Sequence, residues 1–138
     1  MLHHSIIRYQ EGMSFQAELG NHRLRLDADE AFGGQDLGPR PKELLLVALA
    51  GCTGMDVVSI LNKMKVPFKE FWLEVEAELT TTNPKVYQAF TIFYNLRGEN
   101  LNREKIEKAI ALSQEHYCGV SAMFRHFAKI NIVLRLNP

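Results

Sequence analysis

Cys52 and Cys118 are the two cysteines of the chain, 66 positions apart, and each has an uncommon setting. Cys52 lies in GPRPKELLLVALAGCTGMDVVSIL, an apolar run whose Ala50, Gly51, Thr53 and Gly54 are small, and Cys118 lies in LSQEHYCGVSAM. Two thiols can carry reversible disulfide chemistry: one thiolate attacks an electrophile such as a peroxide, and the other condenses with the oxidised sulfur. Two packed, inert cysteines fit the same residues, because free cysteine is among the most buried residue types. The separation excludes a CxxC motif.

A thiol becomes nucleophilic when nearby positive charge or a helix N-terminus favours its thiolate. Cys52 falls too deep in its predicted helix for the terminal dipole to reach it strongly. A cation must come from elsewhere, and the candidates are Arg8, Arg40, Lys42, Arg125 or a histidine. Asp56, four residues after Cys52 and on the same helical face, opposes ionisation unless it holds that cation in place. Cys118 stands at a helix break beside Gly119, where a resolving thiol would have the freedom it needs.

Other chemistries have less to build on. A cysteine hydrolase needs a base within hydrogen-bond reach; His116 is two residues before Cys118, a spacing that does not face it on a helix, and His126 can approach only through tertiary folding. His3, His4 and His22 lie in strand-like sequence without ligand spacing, so no metal site is expected. Gly33-Gly34 lacks the strand and helix context of a dinucleotide fingerprint, so no cofactor is expected either.

The elements that must position the thiols read as α+β. His3 to Ala28 is strand-like with turns at Glu11-Gly12 and Gly20-Asn21, giving two or three antiparallel strands. Asp29 to Arg40 is rich in glycine and reads as an exposed loop. Pro41 suits a first helical turn, and Lys42 to about Lys65 forms a helix that is apolar all round from Leu44 to Ala50, hence one enclosed by protein. Phe71 to Thr82 and Val86 to Leu96 form a half-buried antiparallel pair joined at Asn83-Pro84. A second helix runs from about Asn102 to Tyr117 with Ile106, Ala109, Ile110, Ser113 and Tyr117 on one face. After the break at Cys118-Gly119, Val120 to Ala128 resumes a short helix and Lys129 to Leu136 is a last strand.

The 138 residues, 46% hydrophobic, fit a single domain over 1–138. Sixteen basic and sixteen acidic residues are interspersed, which leaves no electrostatic footprint for nucleic acid or an anionic membrane. The N-terminus lacks the pattern of a secretory signal and no apolar run is expected to be long enough to span a bilayer, so a cytoplasmic protein with reduced thiols is expected. One small sheet cannot enclose an all-apolar helix on every side, so a dimer that jointly encloses two such helices is expected.

PKELLLVALAGC and SQEHYCGVS, taken together, resemble the OsmC/Ohr family, the osmotically inducible and organic hydroperoxide resistance proteins, over nearly the whole chain; CTGMDVVSIL is similar to an OsmC-like subgroup. The resemblance implies an intertwined homodimer with antiparallel or mixed sheets packed around two central helices. It implies reduction of organic hydroperoxides, with Cys52 attacking the peroxide, Cys118 resolving the sulfenic acid as a disulfide, and an external dithiol reopening it. It also implies an activating arginine at the N-terminal turn and a glutamate directly after the helix-opening proline. Here Lys42 follows Pro41, Glu43 is displaced by one position, and Tyr9-Gln10-Glu11-Gly12 holds no arginine in register; Arg8, Arg40 or Lys42 are the candidate substitutes. A non-catalytic module that binds a small ligand in an interfacial apolar pocket, with the cysteines lining it, is the competing function.

Overall fold

The computed structural model describes residues 1–138. They cluster into two compact units, Met1–Leu45 and Leu46–Pro138. In the first, β1 (Ile6–Tyr9), β2 (Phe15–Leu19) and β3 (His22–Leu26) form a three-stranded antiparallel meander. The register pairs Ile6 with Glu18 and Ala17 with Leu24. The glycine-rich loop that follows is tied down at one residue. Asp27 is buried, and its carboxylate accepts from the backbone N–H groups of Ala28 (2.8 Å), Gln35 (3.1 Å) and Leu37 (3.2 Å). Gly34 comes so close to the Ala28 carbonyl that any Cβ there would collide with backbone. The expected exposed loop is therefore an ordered one, with a 3₁₀ turn at Glu30–Phe32.

The second unit holds most of α1 (Leu44–Lys63), which follows a 3₁₀ turn at Pro41–Glu43, and a second sheet. β4 (Glu70–Leu79), β5 (Tyr87–Arg97) and β6 (Lys129–Leu136) pair in the order β4-β5-β6. β4 and β5 are antiparallel; β5 and β6 are parallel, so a crossover must join them. That crossover is α2 (Arg103–Leu112), a π-helical turn (Ser113–Tyr117) and α3 (Gly119–Phe124). As the central strand, β5 supplies the buried Phe90, Ile92, Tyr94 and Leu96. Against them pack Leu49, Val57 and Leu61 of α1, Ile106 and Ile110 of α2, and Phe124 of α3. The Glu74, Glu76 and Glu78 side of β4 is exposed, as the alternation requires.

Two expectations need correction. Tyr117 does not share the buried face of Ile106, Ala109, Ile110 and Ser113; it is 64% exposed. The π turn inserts extra residues into the helical period, marked by the bond from Cys118 N–H to the Ser113 carbonyl at 2.7 Å. Gln114 within the turn and Cys118 just after it are buried instead.

Within one chain α1 is not enclosed on every side, which is the condition from which a dimer is expected. Leu49, Thr53, Val57 and Leu61, spaced by four, are buried, while Val47 and Met55 are 66% and 77% exposed. The second correction is that the stretch Pro41–Lys63, 23 residues, is by length and composition apolar enough to cross a membrane. Of its two glycines only Gly54 serves packing: a Cβ there would stand 3.0 Å from Leu73 Cδ1 of β4, whereas one at Gly51 would meet nothing within 4 Å.

The Asp27 turn generates a pH prediction. Burial pushes its carboxyl up, but the N–H donors of Leu37, Ala28 and Gln35 together outweigh that and hold it below the ordinary 3.8. A depressed folded value contributes stability that is complete above the unfolded value and is lost as pH falls through the folded one. The Tm advantage of the wild type over Asp27→Asn should thus be steady from neutral pH to about pH 4 and collapse below it. An advantage unchanged at about pH 2.5 would mean that the charge does not stabilise the turn.

Candidate functional site

The crossover brings the chemistry together. Cys52, Asp56 and Cys118 place their Sγ, carboxylate and Sγ atoms all within 4.8 Å of one another. Cys52 and Asp56 share a face of α1 because they are four residues apart. Cys118 joins them because the π turn swings it inward. Both thiols are free; Cys52 is half-buried, whereas Cys118 is 2% exposed. The Cys118 sulfur accepts from the Ser121 N–H at 3.3 Å. Burial pushes the Cys118 thiol above its ordinary value; Ser121, through hydroxyl and backbone N–H, pulls it back, and the neighbouring Cys52 adds to the rise.

Behind the thiols runs a buried polar chain whose direction can be derived by counting donors. Arg125 donates from Nη1 to the Gln114 backbone carbonyl and from Nη2 to Gln114 Oε1, both at 2.7 Å. That fixes the amide, so Gln114 Nε2 donates to Tyr94 OH (2.9 Å) and Thr53 Oγ1 (3.1 Å). At the far end the Ser113 hydroxyl donates to Asp56 Oδ2 at 2.9 Å. Ser113 has one proton and has used it, so across the 2.8 Å contact Thr53 must donate to Ser113. Thr53 has then used its own, so Tyr94 must donate to Thr53 across 2.7 Å. Every donor points toward Asp56. Burial pushes the Tyr94 hydroxyl up, against its hydrogen bonds with Thr53 and Gln114, which keeps this donor protonated.

Of the residues singled out in the sequence, Asp56 lies with the thiols. Arg125 is engaged by Gln114. Arg8, Arg40, Lys42 and Glu43 belong to the N-terminal unit: Arg8 stands 3.9 Å from Glu18, Arg40 bonds Asp36 at 2.7 Å and the Gly38 carbonyl at 2.8 Å, and Lys42 and Glu43 sit on the exposed Pro41–Glu43 turn. His116 and His126 are exposed, and the Cys118 sulfur has Ser121 as its hydrogen-bond donor, so a thiol–histidine pair gains no support. Thr53, Tyr94, Ser113 and Gln114 were missed, although Thr53 amid apolar residues and Ser113-Gln114 ending an amphipathic face were visible signals.

Two cavities flank α1. The larger, about 800 Å³, is lined by Val47, Ala50, Gly51, Met55 and Phe71 among others, and by neither thiol. The smaller, about 360 Å³, is likewise lined by neither thiol but has Asp56 in its wall, with Lys63, Ile60, Met64, Leu112 and Tyr117. The smaller is the one adjacent to the chemistry.

A family profile described as OsmC-like protein matches residues 33–133. The chain belongs to the OsmC-like family. Protein YhfA of Escherichia coli (strain K12) is 27% identical over 125 residues, covering 90% of each chain. Among solved structures, a protein from Aquifex aeolicus VF5 superposes with a TM-score of 0.87 at 25% identity, covering 99% of this chain and 97% of its own. An organic hydroperoxide resistance protein OsmC from Legionella pneumophila shares the fold at TM-score 0.69 and 20% identity, with 98% of each chain covered. Two sheets with α1 and a helical crossover are thus the OsmC-like α+β fold. Family membership together with two adjacent free thiols fits a redox role.

The polar chain has a measurable stake in stability. Thr53→Val keeps the shape of the side chain and leaves buried hydroxyls of Tyr94 and Ser113 and the Gln114 amide short of partners. Urea unfolding should show a loss of about 1–3 kcal/mol; no loss would mean that the chain closes around the gap.

Proposed function

We propose that the protein reduces organic hydroperoxides, with Cys52 as peroxidatic nucleophile and Cys118 as resolving thiol. The observation that carries this reading is the pairing of a half-buried thiol with a buried one within 4.8 Å. Closing a disulfide of about 2.05 Å then requires a shift of under about 3 Å. The Cys52 thiolate attacks the outer peroxide oxygen, the O–O bond breaks, and the departing alkoxide takes a proton to become the alcohol. Cys52 is left as a sulfenic acid. The Cys118 thiolate attacks that sulfur, the S–O bond breaks, and hydroxide leaves as water after taking a proton. The sum is ROOH plus two thiols giving ROH, water and a disulfide, which an external dithiol reopens.

Asp56 is the activating group the site itself offers. Held through Oδ2 by Ser113 and set beside both sulfurs, it can take a thiol proton and return it to the alkoxide. The mostly apolar walls of the smaller cavity favour an alkyl peroxide over hydrogen peroxide. Exposed Val47 and Met55 on α1, lining the larger groove, support a homodimer in which a second copy covers that face. Sedimentation at micromolar concentration should return twice the mass of 15.8 kDa; a monomer would remove the dimer from the proposal.

One equivalent of an organic hydroperoxide added to the reduced protein should give, by intact mass and peptide mapping, a near-stoichiometric Cys52–Cys118 disulfide. Cys52→Ser should lose turnover, and Cys118→Ser should stop after one turnover with a trapped sulfenic acid. Because burial raises the Cys118 thiol above 9.0, its thiolate fraction should climb about tenfold per pH unit below that value. Disulfide closure from the sulfenic acid should accelerate accordingly. Thiols that stay reduced would instead favour a ligand-binding module.

A further inference from the structure

Three ligand atoms of two kinds converge where the histidine pattern gave no sign of a metal. We propose that the reduced Cys52, Asp56 and Cys118 form a binding site for Zn²⁺, with a fourth position open to water. Zinc accepts sulfur and carboxylate oxygen together, at about 2.3 Å and 2.0–2.2 Å, in a tetrahedron. Such a tetrahedron sets two sulfurs about 3.8 Å apart and sulfur and oxygen about 3.6 Å apart. The three atoms here, all within 4.8 Å, reach it by contracting about 1 Å. Magnesium and calcium demand oxygen-only shells, which two thiols cannot supply.

The surroundings are built to hold such a set. Ser113 Oγ grips Asp56 Oδ2, leaving Oδ1 for the ion, and is itself held by the chain running back to Arg125. An orienting bond of this kind is what ligating carboxylates require. The Ser121 N–H donates to the Cys118 sulfur. The Ser121 hydroxyl is fully buried without a settled partner and lies beside the same sulfur, which it favours in the charged form a metal needs. Two thiolates and a carboxylate crowded together repel one another, and a divalent cation relieves that repulsion. The cavity of about 360 Å³ that Asp56 lines, with Lys63 also in its wall, gives the ion an approach from the carboxylate side. The site does not depend on peroxide turnover: thiols inert to hydroperoxide would still bind the ion, and a working peroxidase would bind it in its reduced state.

The test is Co²⁺ titration of the reduced, chelator-treated full chain under anaerobic conditions, followed by displacement with Zn²⁺. The expected result is a thiolate-to-cobalt charge-transfer band and tetrahedral visible bands that saturate at one ion per chain and vanish with Zn²⁺. Asp56→Asn should keep the sulfur band and weaken Zn²⁺ affinity at least about tenfold, and Cys52→Ser should diminish the band and weaken affinity further. Both substitutions conserve volume at partly exposed positions, and near-ultraviolet circular dichroism checks the fold of each. Absence of a sulfur band in the wild type, or variants that bind Zn²⁺ as tightly as the wild type, would overturn the site. Peroxide-driven disulfide formation, measured separately, reports only on the proposed reaction.

Discussion

The bond from the Ser113 hydroxyl to Asp56 is the end of a polar chain that cannot be buried in part. Thr53, Tyr94, Ser113 and Gln114 are all removed from solvent, and each hydroxyl or amide left without a partner there would cost about 1–3 kcal/mol. The arrangement that satisfies them joins α1, β5 and the π turn. One polar solution thus sets the spacing of the three elements, and the two sulfurs and the carboxylate are carried on two of them.

The π turn is the second half of the same constraint. An uninterrupted α-helix from Asn102 would have turned Tyr117 toward the core and left Cys118 displaced around the axis. By widening the helix at Ser113, the chain buries Gln114 and Cys118 together, so the residue that anchors the polar chain and the second thiol arrive as a unit. The bidentate hold of Arg125 on Gln114 secures the widened turn from the α3 side.

Electrostatically the centre is acidic and thiol-rich; Arg125 is spent on Gln114, and Lys63 stands in the wall of the cavity that Asp56 lines. The crowding of Cys52, Asp56 and Cys118 within 4.8 Å of one another favours a cation among them once the thiols are ionised.

Much of this was written in the sequence. The alternation of Glu74, Glu76 and Glu78 with Val75 and Ala77, the run Lys129–Leu136, and the four-residue step from Cys52 to Asp56 report local periodicity, which is fixed by backbone geometry. The two cysteine motifs were enough to point to the OsmC/Ohr family. Tertiary structure alone decided the rest. Tyr117 was misplaced because a π turn changes the period without a distinctive residue, and the parallel pairing of β6 with β5 depends on a crossover rather than on the strand's own residues. Thr53, Tyr94, Ser113 and Gln114 lie up to 61 positions apart, and hydrogen bonds over such separations have no period to be read. That Cys118 is the buried thiol and Cys52 the reachable one was likewise a matter of which element packs against which, since burial belongs to the folded chain and not to the residue.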